Sequence, residues 1–288
     1  MLAKEFIAKL TKYEIKIRQA VHSHMRGNYH SIFNGTGIEF SDHREYQYGA
    51  DVRLIDWNAS AKGHGVFVKK YKEDKEQTVF FVVDVSGSQE VGRSARLKID
   101  TSKEIAGVLS LSAIKEASNV GLYCFSDRKE KYIKPENSMK HGYHTVMELF
   151  KLKPESKKTD IAKAIIFTLN ILKKRSLVIL ISDFIDENYG DKLKALARKH
   201  DLIVIHVYDQ TETSLPKLGI IPIYDTETQQ TVWVNTSSPG FRNNMKMVYH
   251  ENAHQLEQIC KENNANYLSL DIAEDYVPKL VRLFKVRK

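Results

Sequence analysis

A chain of 288 residues, 42% hydrophobic and 28% charged, carries enough apolar sequence for one sizeable core with an attached segment, which excludes the disordered and collagen-like classes. Its formal charge of +8 is spread in short doublets such as Lys69-Lys70 and Lys157-Lys158, the pattern of a solvated surface or of attraction to an acidic partner, and not of a phosphate-neutralising arm. No apolar stretch reaches the roughly 18 residues of a membrane span, charges interrupt Met1-Leu2-Ala3-Lys4-Glu5-Phe6, and Cys124 and Cys260 stand alone; the expectation is a cytoplasmic protein with reduced structural thiols.

Leu2, Phe6, Leu10, Ile17 and Val21 fall mostly four or seven apart, which predicts an amphipathic helix from Leu2 to about Val21. From Gly27 to His64 the pattern dissolves into glycine- and aromatic-rich sequence that reads as neither clean helix nor clean strand. Val66 to Tyr71 predicts a strand, and Thr78 to Val83 an almost wholly apolar strand buried on both faces. Then helix 98–117, strand 120–125, short strand 130–133, helices 142–151 and 160–173, strand 177–182, helix 191–199 and strand 202–207 follow in turn. This alternation implies right-handed crossovers and an α/β fold, a doubly wound, mostly parallel sheet flanked by helices. A hairpin inserted near 215–235, helix 241–262, strand 266–270 and helix 275–284 complete the chain. Gly63-His64-Gly65 is the best candidate boundary, separating a segment 1–65, packed on the main domain, from a domain 66–288.

An open parallel sheet binds ligands where the carboxyl ends of its strands meet loops and helix N-termini. Asp84 ends an apolar run at such a place, and Ser86 and Ser88, two apart around a tight turn ascribed to Gly87, are expected on the same side of the loop. Oxygen-only ligands select a hard cation, Mg2+ or else Mn2+ or Ca2+. Two further oxygens stand at Thr159, before the helix that begins at Asp160, and at Asp183, after Leu177-Val178-Ile179-Leu180-Ile181-Ser182. Alone, Asp-x-Ser-x-Ser also describes a turn or helix cap. In this context it resembles the metal-ion-dependent adhesion site of von Willebrand factor A domains, where Asp84, Ser86, Ser88, Thr159 and Asp183 would be the five site residues. Hydroxyl ligands are neutral, so such a site keeps an open position that a partner's carboxylate fills.

The segment Tyr48 to Lys62, with Gly49, Asp51, Arg53, Ile55-Asp56-Trp57 and Ala61, resembles the bacterial family called domain of unknown function 58, in which this motif precedes a von Willebrand A-like domain. The likeness runs through Val68-Lys69-Lys70, the Asp84 loop, Ile181-Ser182-Asp183-Phe184, His200-Asp201 and Leu215-Pro216 with Gly219, over roughly residues 25–235. Ala50 and Lys62 depart from it, where an acidic residue and an arginine are more usual. From the residues themselves, Asp51, Arg53 and Asp56 read as an ion network around a core Trp57, with a direct ligand site as the alternative. The resemblance implies a partner, a MoxR-type AAA+ ATPase or its client, in chaperone-like assembly.

The chain lacks the phosphate loop of an ATPase and the Gly-x-Ser-x-Gly elbow of a serine hydrolase. The alternative function is a magnesium-dependent phosphoester hydrolase with Asp84 as nucleophile. In phosphatases of the haloacid dehalogenase type a general-acid aspartate stands two residues on, where this chain has Ser86, so the expected function is a non-enzymatic, metal-dependent protein-interaction module.

Overall fold

A computed structural model describes residues 5, 7–12, 15, 38–46, 55–62, 65–73, 77–93, 96–213, 217–225 and 230–286. The N-terminal part holds a helical segment at 7–12 (α1), strand β1 (Ile38–Glu45), helix α2 (Trp57–Lys62) and strand β2 (Phe67–Glu73), which pairs antiparallel with β1. Then follow β3 (Thr78–Asp84), a 3₁₀ turn (Gly87–Glu90), the short β4 (Gly92–Arg93) and β5 (Arg96–Leu97), α3 (Lys98–Lys115), β6 (Asn119–Phe125), β7 (Lys129–Glu136), α4 (Met139–Lys151) and α5 (Ile161–Ile171). The last part comprises β8 (Leu177–Ser182), α6 (Gly190–Lys199), β9 (Asp201–Tyr208), α7 (Gln210–Thr213), the hairpin β10 (Ile220–Asp225) and β11 (Gln230–Asn235), α8 (Pro239–Glu262), β12 (Asn266–Asp271) and α9 (Tyr276–Val286).

Six strands form the central sheet in the order β12-β9-β8-β3-β6-β7, all parallel except the edge strand β7. The expected α/β class, a mostly parallel sheet between helices, is the observed one. Strand alternation sends each apolar run to both faces. Val79, Phe81, Val83, Ile179 and Ile181 pack with α3, α4 and α9, whereas Phe80, Val82, Val178 and Leu180 pack with α5, α6 and α8. Because β3 and β8 are neighbours in register Val83↔Ile181, Asp84 ends β3 beside Ser182, and Asp183 follows one residue further on at the same carboxyl edge.

Helix α1 docks on α3. Leu10 is fully buried, and a Cβ added at Gly107 would come within 2.7 Å of its Cδ1, so the glycine permits the close approach. Lys9 beside it pairs with buried Glu104, which also receives Arg96 Nη2 at 3.0 Å. Cys124 and Cys260 are free and buried, and burial pushes both thiols up to about 12.

Two expectations change. The stretch 27–64 contains a strand and a helix, β1 and α2; β1 is mostly polar, with Ile38 and Phe40 its two apolar residues, and among the described residues it pairs with β2 alone, so it has no apolar run to announce it. Trp57, expected in the core, is 70% exposed on the first residue of α2. Asp56 turns its carboxylate to the start of that helix, accepting from Asn58 and Ala59 N at 3.1 Å each, which is a capping role. Gly49, Asp51 and Arg53 lie outside the described residues.

The hairpin β10–β11 stands apart from the central sheet, with Ile220, Val232 and Trp233 more than half exposed. Among the described residues no helix is long and apolar enough to cross a membrane.

Candidate metal centre

Asp84 is wholly buried at the end of β3. Its Oδ1 accepts from Ser86 N at 3.0 Å and its Oδ2 from Ser182 Oγ at 2.6 Å. The first bond folds the loop back on the strand end, and the second ties β3 to β8. Ser86 and Ser88 are also buried, with their hydroxyl oxygens 3.1 Å apart. The two oxygens converge as the spacing predicts, but by a different route: the 3₁₀ turn begins at Gly87, and Gly87 is not among the glycines with positive φ. Its contribution is a backbone donor, since Gly87 N bonds to Lys157 O at 2.8 Å.

That bond brings the loop preceding α5 to the Asp84 loop. Thr159, half-buried, lies two residues beyond the contact, and Asp160 caps α5 by accepting from Lys163 N at 2.7 Å. Glu130 on β7 holds the same loop from the other side through Glu155 N at 2.8 Å and Ser156 N at 3.1 Å. Asp186 in turn accepts from Ile161 N at 2.7 Å, fastening the start of α5 to the segment after β8.

Asp183 is 3% exposed. Its Oδ1 accepts from Ile185 N at 3.3 Å, and its Oδ2 receives the Lys98 ammonium at 2.8 Å. Lys98 is fully buried, and its Nζ also meets Glu212 Oε1 at 2.6 Å. Burial alone would lower the Lys98 pKa, but Asp183 and Glu212 outweigh it and hold the ammonium above its ordinary value. Phe184, next in the chain, has φ 55, a strained left-handed conformation for an aromatic residue that turns the chain away from the strand end.

Electrostatically the centre is short of positive charge around Asp84. Burial first, and then the charge of Asp183, push the Asp84 carboxyl up to about 7 against the lowering effect of the Ser182 and Ser86 hydrogen bonds. A divalent cation held by these carboxylates would offset that penalty. The donor set, two buried carboxylates with two converging hydroxyls, is all hard oxygen, so Asp84, Ser86, Ser88 and Asp183 fit a Mg2+-class ion by chemistry and placement.

Three participants were not apparent from sequence reasoning. Ser182 stands in the strand-end Ser-Asp pair, and a hydroxyl at the last position of an apolar strand was its signal. Lys98 is the first residue of α3, where the helix dipole disfavours a cation, and that mismatch marks it. Glu212 sits on the four-residue α7, which no periodicity shows. A different metal spacing, His250-Glu251 with His254, occurs on α8. Both histidines are exposed, and among the described residues no group of three His, Cys, Asp or Glu is placed to hold a metal ion.

A family model described as "Protein of unknown function DUF58" matches residues 42–255. Uncharacterized proteins of Mycobacterium tuberculosis and Mycobacterium bovis are each 24% identical over 285 residues, covering 98% of this chain and 89% of the relative. Among solved structures, an aerotolerance-related membrane protein from Bacteroides fragilis is similar at 16% identity and a TM-score of 0.49, over 72% of this chain and 98% of that one. The SpRpn10 VWA domain is similar at 9% identity and a TM-score of 0.41, over 71% of this chain and 93% of that one.

Proposed function

The chain belongs to the DUF58 family, whose model spans residues 42–255, and from that premise we propose that it is a non-enzymatic protein-interaction module of von Willebrand factor A-like fold, docking its partner through a divalent cation. The observation that carries the reading is the pairing of Asp84 with Asp183. Two buried carboxylates leave adjacent parallel strands with the Ser86 and Ser88 hydroxyls beside them. In this reading Asp84, Ser86, Ser88, Thr159 and Asp183 hold Mg2+, or Mn2+ or Ca2+ in its place, directly or through water. The bound ion supplies one thing, an open position for a carboxylate oxygen of the partner.

The chain's own residues do the rest. Ser182 and Ser86 N fix both oxygens of Asp84, so the carboxylate is aimed before any ion arrives. The phosphoester-hydrolase alternative would need a general-acid carboxylate two residues after Asp84, where the chain has the hydroxyl of Ser86. The family resemblance supplies the partner class, a MoxR-type AAA+ ATPase or its client.

The test is recovery of partners from the source cell by the tagged full chain, with and without a chelator, and by Asp84→Ala. An AAA+ ATPase recovered by the wild type and lost in both perturbed samples is the expected result. Equal recovery in all three overturns metal-bridged docking.

A further inference from the structure

The Lys98 ammonium and the Glu212 carboxylate are two charges beside the centre that the metal-docking reading does not use. The ammonium is fully buried on the first turn of α3, 2.8 Å from Asp183 Oδ2 and 2.6 Å from Glu212 Oε1. Glu212 is itself held in place, for its Oε2 accepts from Asp209 N at 3.3 Å and its own N donates to Asp209 O at 2.9 Å. A buried ammonium needs such partners to offset its loss of water. It has them in two carboxylates, one of them the candidate ligand Asp183.

The geometry points to Lys98 and Glu212 as a built-in charge balance that sets the cation affinity of the Asp84–Asp183 centre. The inference rests on the metal-docking reading above. Ionised Asp84, Asp183 and Glu212, with buried Asp209 behind Glu212, are negative and Lys98 is positive, so removing Lys98 or Glu212 changes the charge beside the ion's carboxylates by one unit in opposite directions. Lys98 engages Oδ2 of Asp183 while Oδ1 accepts from Ile185 N, so bidentate chelation of an ion by Asp183 would have to displace the ammonium. An ion held by so few carboxylate oxygens keeps its open position for a partner. Lys98 is therefore a positioning residue that trades tight chelation for an accessible ion. Glu212 opposes it by drawing the ammonium toward α7.

Charge balance predicts opposite effects from the two single variants and cancellation in the double one. Mn2+ binding to the full chain, followed by the loss of the free-ion electron paramagnetic resonance signal, reads this directly. Lys98→Met leaves one more uncompensated negative charge and tightens Mn2+ binding about tenfold; Glu212→Gln removes one and weakens it about tenfold; Lys98→Met with Glu212→Gln restores roughly wild-type affinity. A merely structural pair predicts weakening in all three. Folded protein is verified by circular dichroism, and the double variant, which removes both charges, guards against misfolding of the single ones. If the wild type binds Mn2+ and Asp84→Asn abolishes it, but Lys98→Met fails to tighten binding or the double variant fails to restore it, the charge balance is overturned and the metal centre stands. If the wild type does not bind, both fall.

Discussion

The hydroxyl of Ser182 donates to Asp84 Oδ2 over 2.6 Å, joining the carboxyl ends of two adjacent parallel strands inside the protein. Ser182 Oγ also accepts from Phe184 N at 3.0 Å, so one hydroxyl positions a carboxylate on β3 and the strained turn after β8. Ser182→Ala strands one oxygen of a buried carboxylate. The expected loss is about 2 kcal/mol, seen as a lower urea midpoint with unchanged slope. An unchanged midpoint shows that the bond contributes nothing net.

Ligand binding to the folded state alone raises stability by mass action. Thermal unfolding of the full chain with excess Mg2+ is expected to shift upward relative to a chelated sample, by about 2.7 kcal/mol at a hundredfold excess over Kd. Asp84→Asn, which keeps the shape and removes the charge, is expected to abolish the shift. A shift of equal size in that variant places the ion elsewhere.

Docking of α1 is tested at Leu10, which is fully buried against α3 at Gly107. Leu10→Ala removes its packing and leaves a cavity, at a cost of about 2–4 kcal/mol in denaturant unfolding. A cost below about 0.5 kcal/mol means that the helix contributes little to the core.

The family motif separates into two roles. Asp56→Ala removes the acceptor for two backbone donors at the start of α2 and is expected to cost about 1 kcal/mol. Trp57→Ala, at a side chain 70% exposed, is expected to stay within about 0.5 kcal/mol of wild type while weakening any partner that uses the indole. A large stability loss in Trp57→Ala contradicts its exposure.

The pH response has two opposed contributors. Burial lowers the His206 pKa from 6.5 to about 4, so on acidification the unfolded chain takes up its proton first; stability from neutral His206 is present above 6.5 and is lost as pH falls toward 4, by about 3 kcal/mol in full. Asp84 runs the other way, because its carboxyl, raised to about 7, favours protonation in the folded state and relieves that state as pH falls. Urea midpoints between pH 7 and 4 for wild type and His206→Phe isolate the histidine: the variant is expected to lose less. Parallel curves refute the assignment.

The sheet was legible in the sequence because its central strands are uninterrupted apolar runs, and strand β8 has all six residues buried. Asp84 and Asp183 were legible as candidates because each is the first acidic residue after such a run. Strand β1 was not, being a mostly polar ribbon that among the described residues pairs with β2 alone. Trp57 was misplaced because an aromatic side chain beside charged residues reads alike in a core and on an exposed helix start. Lys98 and Glu212 escaped because their meeting spans 114 residues, and a lysine or a glutamate on a helix otherwise looks like solvated surface.

The order of strands also constrains when the centre can exist. Strand β3 lies between β8 and β6, and the bond that fixes Asp84 closes over 98 residues of intervening chain. During synthesis β3 can pair with β6 long before β8 has emerged, and non-local parallel pairing forms late and slowly. An incompletely made chain therefore presents Asp84 without Ser182 or Asp183, and the two carboxylates come together only once the middle of the sheet is finished.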